Sequence, residues 1–158
     1  MRKILPLVLL VVAVGLVGVG TAAASTSPPV SLSGKTNVHG KKDVSKKSKA
    51  AFTLEADDFY FSPTFVKVKP GEKLTLTLKN EGKAQHTFTS SALGVDKTLQ
   101  PDTKTKVTIT IPSSGSVLAF HCDFHQAMGM QGAFYTGSGG SSAKTTTTAA
   151  SSGGGSGY

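Results

Sequence analysis

Leu74-Thr75-Leu76-Thr77-Leu78-Lys79 carries an apolar residue at every second position. Side chains alternate across a β-strand, so a run of this kind has one buried and one solvated face. Val107-Thr108-Ile109-Thr110-Ile111 repeats the pattern, and Val66-Lys67-Val68-Lys69 does so more briefly. Pro70-Gly71, Asn80-Glu81-Gly82, Pro101-Asp102 and Pro112-Ser113-Ser114-Gly115 punctuate these runs as turns or loops. No stretch carries a long stripe of helical period. Residues 51–136 therefore predict one all-β domain, a β-sandwich of about seven or eight short strands.

The flanks differ in composition. Residues 1–24 read as an export signal: Arg2 and Lys3, an apolar run from Ile4 to Gly20, then Ala22-Ala23-Ala24 before Ser25. The apolar run is long for a signal and short for a membrane span, so a retained N-terminal anchor is the alternative to cleavage. Residues 25–50 are rich in Lys and Ser with few apolar side chains, which predicts a disordered arm. Residues 137–158, almost all Gly, Ser, Thr and Ala, predict a flexible, disordered tail.

The net charge of +8 is unevenly spread. The arm has six lysines against Asp43, whereas residues 51–136 have eight lysines and eight carboxylates. A neutral domain on an exported chain argues against nucleic-acid binding. The lysines serve to keep a spacer solvated, or attach it weakly to anionic cell-wall polymers or lipid headgroups.

Cys122 is the only cysteine, so no internal disulfide is available to it. An exported free thiol is open to oxidation unless it has a task such as metal ligation. It sits in Phe120-His121-Cys122-Asp123-Phe124-His125-Gln126-Ala127-Met128-Gly129-Met130-Gln131-Gly132. Thiolate, imidazole and thioether together select copper, and two His, one Cys and a weak axial Met make the trigonal blue-copper electron-transfer site. Alternation along Val117–Cys122 puts Leu118, Phe120 and Cys122 on the inner face and turns His121 away. His125 and a methionine then return to the same point from a loop. Met130, five after His125, leaves more room for that return than Met128, three after it, and both are candidates. His86 opens a strand with Phe88 on the same face and is the best-placed second imidazole, since His39 falls in the arm.

With these residues in view, the segment from Cys122 through His125 to Met130 resembles the copper loop of the plastocyanin-like branch of the cupredoxins. Asn80 followed by His86 resembles that family's first-histidine segment, and Phe61-Ser62-Pro63 through Val68-Lys69-Pro70-Gly71 its early strands. The resemblance implies a Greek-key β-sandwich and one copper ion cycling between Cu(II) and Cu(I). It assigns the ligands as His86, Cys122, His125 and Met130, with His125 as the electron port. Redox proteins would be its donors and acceptors, in the periplasm, cell envelope or medium, and the protein a monomer. Phe124, Asp123 and Thr87 depart from the family pattern around the thiolate, and such neighbours tune a metal site. The site shows no open position and no spare acid or base, which argues against an enzyme. Copper handling, by a chaperone or resistance factor, is the alternative, although no Met-rich tract is present.

Overall fold

The computed structural model describes residues 28–114 and 117–137. The proposed signal and nearly all of the proposed tail lie outside the described residues. Ten strands are present among those described: β1 (Lys41–Asp43), β2 (Ala51–Asp57), β3 (Tyr60–Ser62), β4 (Phe65–Lys67), β5 (Lys73–Asn80), β6 (His86–Ser90), β7 (Val95–Leu99), β8 (Lys104–Thr110), β9 (Val117–His121) and β10 (Gln131–Tyr135). They form a six-stranded sheet, β1-β4-β10-β9-β6-β7, and a four-stranded sheet, β3-β2-β5-β8. Both sheets are mixed, with β2 parallel to β5 and β4 parallel to both β1 and β10. Among the described residues no helix is long and apolar enough to cross a membrane.

The period-two runs form the facing surfaces of the two sheets. Leu74, Leu76 and Leu78 of β5 are fully buried, and β8 brings Val107 and Ile109 beside them in antiparallel register. Each such side chain contributes about 1.5–3 kcal/mol by leaving water. From the other sheet, Leu118 and Phe120 point inward as the alternation predicts. Phe120 lies 5.1–5.2 Å, centroid to centroid, from Phe61, Phe88 and Phe134, which makes an aromatic centre for the sandwich.

Residues 28–50 correct one expectation. The predicted disordered arm lies along the six-stranded sheet, with Val30, Val44 and Ala50 buried. β1 pairs with β4 and covers an edge that would otherwise present unpaired backbone groups. Val30 packs with Phe65 and Ala133 on the outer face of the sheet, and Leu32, Val117 and Tyr135 flank that cluster. Side-chain composition hid this, because backbone pairing and two amide side chains do much of the holding. Gln131 Nε2 donates to the carbonyl oxygens of Ser33 and Lys35 at 2.8 and 2.7 Å. Asn37 Nδ2 donates to the carbonyls of Phe59 and Met128 at 2.9 and 3.0 Å. The lysines at 41, 42, 46, 47 and 49 remain exposed, as solvated lysines should. β1, and the division of the early strands into short pieces, raise the count above seven or eight.

Candidate metal centre

Three donors converge at one end of the sandwich. Cys122 follows β9 directly, and its N–H donates to the Met130 carbonyl at 3.0 Å, so both ends of the loop are held together. Between them the His125 N–H donates to the Cys122 carbonyl, and a single 3-10 turn spans Gln126–Met128. Gly129 ends that turn at φ 100°, a left-handed conformation that glycine adopts without strain. A Cβ there would also lie 2.9 Å from Asn37 Oδ1, so the loop is fitted against the N-terminal segment.

His86 arrives from the other side, at the start of β6. The buried Asn80 side chain shapes the preceding loop. Its Nδ2 donates to the carbonyls of Ala84 and Leu99, and its Oδ1 accepts the Gly82 N–H. The Asn80–His86 spacing noted in the sequence thus has a mechanical cause.

The donor atoms of His86, Cys122 and His125 all lie within 4.8 Å of one another. His86 Nδ1 is 3.1 Å from His125 Nδ1, and Cys122 Sγ is 3.4 Å from His125 Nδ1 and 3.8 Å from His86 Nδ1. His86 and Cys122 are fully buried, while His125 keeps part of its ring in solvent. Burial pushes the His86 imidazole below its ordinary pKa, partly offset by its bond to Asp58. With His86 Nε2–H donating to Asp58, its Nδ1 presents a lone pair to the cluster. Lone-pair donors facing one another at these distances suit a cation between them. The sulfur–nitrogen donor set suits copper.

Met130 is fully buried at the end of the loop, and Met128 is 45% exposed. His121 points away from the cluster as the strand alternation required, and pairs with Asp123 at 3.0 Å. His39 is also elsewhere, stacked on Tyr60 with centroids 3.5 Å apart.

The three departures around Cys122 fit together. Thr87 N–H donates to Cys122 Sγ at 3.3 Å. Thr87 Oγ1 donates to Asp123 Oδ2 at 3.1 Å and accepts the Asp123 N–H at 2.8 Å, so Thr87 and Asp123 brace each other across the sulfur. Thr89 adds a bond to the same carboxylate, the leading cause that holds Asp123 below the usual carboxylate pKa. Phe124 is exposed beside His125, and Phe59 packs against that imidazole with centroids 4.4 Å apart.

Sequence reasoning missed Asp58, Phe59, Asn37 and Gly82. Each acts through a contact between segments distant in the chain, and nothing in its immediate neighbours announces it.

The chain belongs to the cupredoxin-like family: a family profile described as a cupredoxin-like domain matches residues 12–134. Among solved structures it is similar to the dithionite-reduced auracyanin of the photosynthetic bacterium Roseiflexus castenholzii. That match has a TM-score of 0.50 and 18% identity, and covers 57% of this chain and 98% of the auracyanin. A copper nitrite reductase from Nitrosomonas europaea gives a TM-score of 0.47 at 22% identity, covering 56% of this chain and 41% of that enzyme. None of the curated proteins compared with the chain matches it. Fold and donor set together fit a single type 1 copper site built from His86, Cys122, His125 and Met130.

Proposed function

We propose that this protein is an exported carrier of single electrons, in which His86, Cys122 and His125 would hold one copper ion as strong ligands and Met130 would be a weak fourth. The observation that carries this reading is the convergence of two imidazole nitrogens and one buried sulfur, held from two strands and one short loop. Bound copper supplies the Cu(II)/Cu(I) couple. The chain's part is to hold the donors still. The Thr87 N–H fixes the sulfur, Asp58 fixes one imidazole, and the bond between Cys122 and Met130 closes the loop. The partly exposed His125, in contact with Phe59 and the exposed Phe124, gives redox partners a short apolar approach. Exposed lysines at 41–49 supply a weak attraction for an anionic envelope surface. No catalytic group is assigned, and the partners are protein donors and acceptors.

A copper titration read by visible absorption and electron paramagnetic resonance tests the reading. An intense charge-transfer band with narrow copper hyperfine splitting, lost on reduction and absent in Cys122→Ser, is the expected result. Met130→Leu should keep copper and move the potential. Weak absorption with an ordinary tetragonal spectrum, or rapid copper loss to a chelator, would overturn it in favour of copper handling.

A further inference from the structure

Asp58 stands between β2 and β3, remote in sequence from every candidate ligand, yet its carboxylate meets His86. Oδ1 accepts His86 Nε2–H at 2.9 Å and the Ala84 N–H at 3.3 Å, while Oδ2 accepts the Lys83 N–H at 3.0 Å. These bonds fix the carboxylate on both oxygens, with 30% of its side chain exposed. Gly82 makes room for it. A Cβ at that position would collide with Asp58 Oδ1 and lie 3.0 Å from His86 Nε2. A bare glycine, two aligned amides and a carboxylate therefore form one support behind a single imidazole.

We propose that Asp58 is a positioning residue for the metal centre: it holds His86 with Nε2 protonated and Nδ1 free, and its negative charge favours the oxidised metal. This rests on the copper reading above. A ligating histidine whose second ring nitrogen donates to a carboxylate has a fixed tautomer and ring orientation, and a more basic ligand nitrogen. A charge at hydrogen-bond distance also discriminates between oxidation states. Cu(II) carries one more positive charge than Cu(I), so the carboxylate stabilises it more and lowers the reduction potential.

Asp58→Asn keeps the size of the side chain and removes the charge. Removing such an outer partner weakens metal affinity by about 10–100-fold. If Cu(II) loses about tenfold more affinity than Cu(I), the potential rises by about 59 mV. Asp58→Ala removes orientation as well and should also alter the copper spectrum. Gly82→Ala keeps the charge but displaces the carboxylate, and should raise the potential too. A readout without copper completes the test: nitrogen NMR of the copper-free wild-type protein at alkaline pH. The expected result is His86 with Nε2 protonated and Nδ1 bare, a preference lost in Asp58→Ala. A proton on Nδ1 of wild-type His86, or unchanged potential and Cu(II) affinity in both Asp58 variants, overturns the proposal. A wild-type protein with no charge-transfer band overturns the copper reading instead, while the tautomer experiment still decides what Asp58 does.

Discussion

Replacing Gly132 by alanine tests how tightly the sandwich is closed below the metal centre. Gly132 lies in β10, directly opposite Phe120 of β9, and its neighbour Ala133 is paired with Phe65 of β4. A Cβ on it would overlap the Thr64 carbonyl oxygen and lie 2.6 and 2.7 Å from Cζ and Cε2 of Phe120. Neither neighbour can yield freely. The Phe120 ring is enclosed by three other phenylalanines, and the Thr64 carbonyl accepts the Ala133 N–H at 3.0 Å. Overpacking costs about 1–3 kcal/mol. Losing the hydrogen bond as β4 retreats adds about 0.5–1.5 kcal/mol. The sum is about 1.5–4.5 kcal/mol, and since each kcal/mol moves the midpoint of a domain this size by about 4–8 °C, Tm should fall by about 6–36 °C. Thermal unfolding of the copper-free variant, followed by far-UV circular dichroism, measures this. Hydrogen exchange at Ala133 should speed up in parallel. A Tm within about 2 °C of the parent, against the shift just derived, would mean that β4 and β10 are not packed as described.

Leu74, Leu76 and Leu78 announced the sandwich because burial on one face of a strand leaves a direct period-two trace in the sequence. Cys122 and His125 were legible because one loop carries both and the cysteine has no disulfide partner. His86 was harder. It needed a count of missing donors, and the structure supplied the mechanical reason in Asn80. What stayed hidden has a common cause. Asp58 reaches Lys83, Ala84 and His86 across 25 or more residues, and Asn37 reaches Met128 across 91. Such contacts exist only after the sheets have formed. The misreading of residues 28–50 has a second origin: their few apolar residues suggested too little burial. The segment is instead held by pairing with β4 and by the amides of Asn37 and Gln131, neither of which registers as hydrophobicity.

Asn37→Ala removes two donated bonds that join the N-terminal segment to the copper loop and to Phe59, at about 0.5–1.5 kcal/mol each. Proteolysis before residue 40 should accelerate in that variant, and wild-type cleavage kinetics would refute the clamp. The stability of the copper-free protein should depend on pH in a direction set by burial. His86 is held below the ordinary value of 6.5, so in mildly acid solution the unfolded chain binds a proton there that the folded chain resists. Its contribution is fully present above pH 6.5 and is lost as the pH falls through the folded value. Asp58 acts further down, held low chiefly by the Lys83 amide, and its share is present above 3.8 and lost below it. Both act in the same sense, so Tm of the copper-free protein should decline from neutral pH into acid, first below about 6.5. A Tm that is flat or rises between pH 7 and pH 5 would mean that the His86 pocket opens to water without its metal, and that the centre is not preformed by the fold.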